Sequence, residues 1–139
     1  MAILIVEDDA AVRRGHQKLL EQAGFEVLSV EDGLEAFEEL SKSGFDAIVC
    51  DVDMPALDGT GFFEQLEEIL PHMASRVLFV TGLADQPETH RFLKETGQPF
   101  LSKPTPGEEL VSTVRRLIEL RESGAFDVLG NTPRRTART

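Results

Sequence analysis

Ala47-Ile48-Val49-Cys50 runs without a polar interruption into Asp51. Four apolar residues in a row that end in an acid read as a short strand buried on both faces, the habit of a parallel sheet lying under helices. The pattern recurs three times. Ile3-Leu4-Ile5-Val6 runs into Glu7-Asp8-Asp9, Val77-Leu78-Phe79-Val80 into Thr81, and Phe100-Leu101-Ser102 into Lys103-Pro104. In open parallel sheets ligands bind outside the carboxyl ends of the strands. Four strands are therefore expected to deliver carboxylates, a hydroxyl and an ammonium group to one crevice.

Helical signals separate the strands. Val12, Leu19, Leu20 and Ala23 share one face of a stretch that Gly24 closes. Residues 26–30 read as a shorter, less apolar strand at a sheet edge. Residues 33–43 form a helix with Ala36, Phe37 and Leu40 inward and Glu35, Glu38 and Glu39 outward. The third strand covers 46–50, and the loop Met54-Pro55-Ala56-Leu57-Asp58-Gly59 follows it. A third helix carries Phe62, Phe63, Leu66, Ile69 and Leu70, and Pro71 is expected to stop it. Pro87 opens a helix to Thr96-Gly97, and Leu110, Val114, Leu117 and Ile118 repeat at helical spacing in the last one. Five strands alternating with five helices predict an α/β fold, a single doubly wound (βα)5 sandwich. Right-handed crossovers and a weak second strand favour the flavodoxin-like order 2-1-3-4-5. The folded unit is expected over residues 1–122. Residues 123–139 read as a short, basic, flexible tail, too short for an output domain.

Length and composition narrow the class. A chain of 139 residues fits one domain able to bury about two-thirds of its unfolded surface. A formal net charge of -11 argues against direct nucleic-acid binding and favours a cationic ligand, a metal included. One cysteine, Cys50, allows no internal disulfide, which points to a reducing compartment. The first residues lack a basic stretch before an apolar one, and no apolar run approaches the roughly 18 residues of a membrane span. The expected location is the cytoplasm, without membrane insertion.

Glu7, Asp8 and Asp51 at adjacent strand ends would crowd three like charges together, an arrangement that calls for a shared cation. Hard oxygen ligands suit Mg²⁺, or Mn²⁺, which keeps coordination positions for an incoming phosphoryl group. Lys103 supplies a positive point charge and Thr81 a hydroxyl donor. Metal, lysine and hydroxyl together make a phosphoryl-transfer environment. With no Ser/His or Cys/His pairing evident, the nucleophile must be a carboxylate, and Asp51 at the sheet centre is the best placed.

The segments ILIVEDD (3–9), DVDMPALDG (51–59), VTG (80–82) and FLSKP (100–104) resemble those of two-component response-regulator receiver domains, the CheY-like family, with every motif in order over about residues 2 to 121. The resemblance implies that Asp51 is the aspartate phosphorylated by a partner histidine kinase or phosphotransfer protein, and that Glu7 and Asp8 form the acidic pair. It implies direct Mg²⁺ ligation by Asp8 and Asp51, a water-mediated contact from Glu7, and a backbone carbonyl ligand from Asp53. Thr81 and Lys103 would bind the phosphoryl oxygens, the Lys103-Pro104 bond would be cis, and Phe100 would be the switch aromatic that turns inward as Thr81 moves. Asp53 and Leu83 take the positions that tune dephosphorylation. Leu83 cannot orient an attacking water, so a long-lived phosphoryl group is expected. Thr105, Gln98 and Pro99 depart from the usual wording, and GQPFLSKP is closer to receivers attached to hybrid kinases; these departures touch the output side and leave the chemistry alone.

Several residues have plainer readings. Asp9 is expected to cap the first helix, and Cys50 to point into the core, since alternate strand residues face opposite ways. His16 lies on the apolar helix face, and His72 and His90 read as surface residues without metal-ligand spacing. Phe62 and Phe63 read as packing. The acid-rich faces, Glu64, Glu67 and Glu68 among them, read as solvated. Pro55 and Gly59 read as shaping the loop beside Asp51. The sequence thus predicts a signalling module acting through protein contacts with a downstream target, with the contact surface expected around the fourth helix, fifth strand and fifth helix, rather than a multiple-turnover enzyme. Only self-phosphorylation and self-dephosphorylation are expected, and a homodimer is compatible with this role. The alternative is a haloacid-dehalogenase-like phosphatase with Asp51 as nucleophile and Asp53 as general acid. It stumbles on Pro55, where that motif carries threonine or valine, and leaves Glu7 and Asp8 without a role. A degenerate receiver used only for binding would lack a site residue, and none is missing.

Overall fold

A strand inside a doubly covered sheet has no wet side to reserve for polar residues, and the apolar runs fold accordingly. The computed structural model describes residues 1–53 and 59–123. In chain order the elements are β1 (Ala2–Val6), α1 (Ala10–Gln22), β2 (Glu26–Val30), α2 (Gly33–Lys42), β3 (Ala47–Asp51), α3 (Gly59–Ile69), α4 (Pro71–Ala74), β4 (Val77–Thr81), α5 (Pro87–Thr96), β5 (Phe100–Ser102) and α6 (Gly107–Ser123). All strands pair in parallel, in the order β2-β1-β3-β4-β5. This is the flavodoxin-like arrangement the sequence predicts. β2 is the edge strand beside β1, and its burial alternates where β3 and β4 are buried throughout.

The period-two alternation of a strand sorts the core into two layers. Leu4, Val6, Ile48, Cys50, Val77 and Phe79 pack against Ala36, Leu40, Phe62, Phe63, Leu66 and Leu93 from α2, α3 and α5. Ile3, Ile5, Val49, Leu78 and Val80 face the other way, onto Leu20 of α1 and Leu110, Val114 and Leu117 of α6. In the first layer Phe63, Phe79 and Phe92 make three mutual edge-on contacts with centroids 5.3 to 6.1 Å apart, and Phe37 meets Phe62 at 5.3 Å. Such pairs contribute about 0.5–1.5 kcal/mol beyond the area they bury. Phe62 and Phe63 are thus packing residues, and the Cys50 thiol is fully buried and donates to the Asp51 carbonyl at 3.3 Å.

Local chemistry sets the element ends. The Asp9 carboxylate accepts the backbone N–H groups of Ala11 (2.9 Å) and Val12 (3.2 Å) and caps α1 as expected. Gly24 (φ 100°) follows α1 and Gly97 (φ 72°) caps α5, both in the left-handed region where glycine carries no Cβ penalty. Pro71 does two jobs where the sequence predicts one. α3 ends two residues before it, and its fixed φ then opens the one-turn helix α4. This turn makes a sixth helix among the described residues, and Ile69 at the end of α3 is exposed. β3 runs one residue later than predicted and includes Asp51. The Lys103-Pro104 peptide is cis. His72 and His90 lie at the surface. Gly59 opens α3. Pro55 with the rest of residues 54–58, and residues 124–139 of the tail, lie outside the described residues.

Candidate functional site

Register brings the polar residues together. Val6 pairs with Cys50, and Asp51 with Val80, so Glu7 and Asp8 leave β1 beside the end of β3, next to the end of β4. The bond from Lys103 N–H to the Thr81 carbonyl (2.8 Å) continues the β4–β5 ladder one step and fixes where the lysine starts. Buried Gln98 anchors the entry to β5, donating from Nε2 to the Val77 carbonyl at 2.9 Å. That contact gives the unusual Gln98-Pro99 wording a structural role.

One carboxylate oxygen from each of Glu7, Asp8 and Asp51 lies within 4.8 Å of the others. Glu7 and Asp51 are 2% and 3% exposed, whereas Asp8 is open to solvent. Lys103 Nζ lies 2.8 Å from Glu7 Oε1 and 3.4 Å from Asp51 Oδ2. Burial pushes the Asp51 carboxyl up to about 7; the Asp53 N–H bond and Lys103 oppose the rise, and the neighbouring Glu7 adds to it. Burial alone would lower the Lys103 pKa, but its contacts with Glu7 and Asp51 outweigh it and hold the ammonium above its ordinary value. One ammonium faces three carboxylates, so the pocket carries excess negative charge. The donor set is hard oxygen with one open side at Asp8, which suits a small divalent cation.

Two further residues, Arg13 and Asp53, make contacts that are not legible from the motifs. Arg13 of α1 donates from Nη1 to the Glu7 carbonyl (2.9 Å) and the Asp8 carbonyl (3.4 Å), holding the acidic turn against the helix. Its place four residues after the Asp9 cap was the available signal. Asp53 donates its N–H to Asp51 Oδ1 (3.1 Å), and its own Oδ2 accepts the Thr81 hydroxyl proton at 2.8 Å. The Thr81 oxygen in turn accepts the Leu83 N–H at 2.9 Å. Thr81 is fully buried, Leu83 is exposed, and the Phe100 ring is turned toward solvent at 38% exposure. His16 is buried on α1, its pKa lowered by burial, with Glu7 raising it and Lys103 lowering it.

The family model of the response regulator receiver domain matches residues 3–115. The chain belongs to that family. Among curated relatives, the response regulator receiver protein CpdR of Brucella abortus is 31% identical over 116 residues, covering 84% of this chain and 95% of CpdR. The C4-dicarboxylate transport transcriptional regulatory protein DctD of Rhizobium meliloti is 30% identical over 120 residues, covering 86% of this chain. The chain spans only 26% of DctD. The signal receiver domain of a signal transduction histidine kinase from Syntrophus aciditrophicus superposes with a TM-score of 0.77 at 32% identity, covering 85% of this chain and 89% of that one. The chain is thus a CheY-like receiver, a signalling domain rather than a conventional enzyme. The haloacid-dehalogenase reading finds no support in these comparisons, and the Asp53 carboxylate is engaged by Thr81 rather than free to act as its general acid. Among the described residues no helix is long and apolar enough to cross a membrane.

Proposed function

We propose that Asp51 accepts a phosphoryl group from a phosphohistidine of a partner kinase or phosphotransfer protein. The observation that carries this reading is the buried Asp51 carboxylate, set within reach of Lys103 and in one cluster with Glu7 and Asp8. An Asp51 carboxylate oxygen attacks phosphorus, the phosphorus–nitrogen bond breaks, and the electron pair leaves with the imidazole. Asp8, Asp51, the Asp53 carbonyl and, through water, Glu7 would hold Mg²⁺ or Mn²⁺, which supplies positive charge to the equatorial oxygens. Lys103, beside both Glu7 and Asp51, adds a second positive charge and would exchange its Asp51 contact for a phosphoryl oxygen.

Modification adds a charge of about -1.5 to -2 at Asp51. Thr81 then turns to donate to the phosphoryl group, and Phe100 moves from solvent into the space it leaves. The surface formed by α5, β5 and α6 carries that change to a downstream protein. Leu83 offers no group to orient water near Asp51, which supports a long phosphoryl lifetime; a phosphoprotein half-life of seconds would contradict this part. The reading places the chain in the cytoplasm, where its kinase's catalytic groups reside.

Intact-mass spectrometry after incubation with acetyl phosphate and Mg²⁺ tests the assignment. One acid-stable, base-labile phosphoryl adduct is expected, dependent on the metal and absent from Asp51→Asn. No adduct on a folded, metal-binding protein would overturn it, and phosphate release over many turnovers would indicate an enzyme instead.

A further inference from the structure

The Thr81 hydroxyl is engaged twice. Its single proton goes to Asp53 Oδ2 at 2.8 Å, and its oxygen accepts the Leu83 N–H at 2.9 Å. While that proton rests on Asp53, Thr81 has nothing to donate to an anion on Asp51. Asp53 is itself tied to the acceptor, because its N–H binds Asp51 Oδ1. The Val52 N–H reaches the Val80 carbonyl (3.4 Å), so the β3 and β4 chains still run side by side past the Asp51–Val80 pair, and residue 53 arrives next to Thr81.

We propose that the Asp53 side chain is a positioning residue that latches Thr81 in the resting conformer, so that an anion seated on Asp51 must take the Thr81 proton away from Asp53. The proposal rests on the reading of Asp51 as the phosphoacceptor and adds a side-chain role for Asp53 to its backbone one. Asp53 is exposed and Thr81 buried, so the bond joins a hydrated carboxylate to a hydroxyl held by the fold. Such a bond is strong enough to bias the resting state and weak enough to exchange. Leu83 rides on the Thr81 oxygen, so breaking the latch frees the start of the segment after β4 as well.

Beryllofluoride with Mg²⁺ is a suitable probe, its affinity read by calorimetry on the full chain. If latched molecules must open before they bind, apparent affinity falls by the fraction that is open. Asp53→Ala is expected to bind about five- to tenfold tighter than wild type, the scale of one net hydrogen bond. In a Thr81→Val background the same substitution is expected to change affinity by less than about twofold, because no proton remains to be latched. Equal gains in both backgrounds would mean that Asp53 acts only through its charge, and would overturn the latch. Asp53→Asn gives a second test, independent of whether the valine variants fold. It keeps an acceptor for Thr81 without the charge, so its gain is expected to stay well below that of Asp53→Ala; identical gains would again overturn the proposal. Absence of binding by every variant and by wild type would overturn the phosphoacceptor reading and the latch together, a result distinct from binding without the Thr81 dependence.

Discussion

Asp51→Asn is expected to stabilise the metal-free protein at alkaline pH. Asp51 is 3% exposed, and burial with the Glu7 carboxylate close by raises its pKa from an ordinary 3.8 to about 7. At 1.36 kcal/mol per pH unit, keeping this carboxylate ionised in the folded state costs at most about 4 kcal/mol. Asparagine retains an oxygen for the Asp53 N–H but loses the charge that Lys103 meets at 3.4 Å, so the net gain at pH 8 is expected to be on the order of 2 kcal/mol. The direction follows from proton counts. Between about pH 4 and 7 the folded state keeps a proton that the unfolded chain has released, so wild-type stability declines as pH rises through this window, and the variant lacks that decline. His16, lowered by burial from 6.5, acts in the opposite sense as pH falls below its ordinary value. It is common to both proteins, so the difference between their curves isolates Asp51. Urea unfolding followed by circular dichroism from about pH 5 to 8.5 measures that difference. Millimolar Mg²⁺ is expected to shrink it, because a cation shared by Glu7, Asp8 and Asp51 removes the repulsion. Parallel curves, or a variant no more stable than wild type at pH 8, would refute the reasoning.

Lys103→Met leaves Glu7 and Asp51 facing each other without their cation. It is expected to lower stability by about 2 kcal/mol at pH 8 and by less at pH 5, as thermal unfolding at the two pH values will show. Asp9→Ala removes both capping bonds of α1 and should cost about 1 kcal/mol in a denaturant titration. Phe79→Ala opens the aromatic cluster in a fully buried layer and is expected to cost about 3–5 kcal/mol with little change in the denaturant slope. Gly97→Ala forces a side chain into the left-handed region and should cost about 1 kcal/mol, visible as a lower melting temperature.

Much of this molecule is written in local pattern. Uninterrupted apolar runs specify β1, β3 and β4, because burial on both faces tolerates nothing else, and the mixed composition of 26–30 marks the edge. The strand-end acids, Thr81 and Lys103 follow from where those runs stop. The residues that escaped depend on side-chain reach rather than on period. Arg13 looks like any solvated helix cation until its guanidinium is seen on the Glu7 carbonyl. The family resemblance places Asp53 beside Asp51, but its bond to Thr81 depends on the β3–β4 register, which no single strand encodes. The α4 turn is not legible in the sequence, because a proline after an apolar helix signals an end, while the same fixed φ also suits a new first turn.

The backbone bond between Lys103 and the Thr81 carbonyl has a mechanical meaning. It grounds β4 and β5 to each other at the edge of the pocket, so the main chain of Thr81 is a fixed pivot. Motion of its side chain therefore cannot dissipate into sliding of the two strands. Under the proposed phosphoacceptor reading, displacement is channelled outward, into residues 82–86 on one side and the Phe100 ring on the other, which lie at or near the surface. On that reading a sheet this well buried acts as the frame of a lever, and switching turns only a few torsions at its rim.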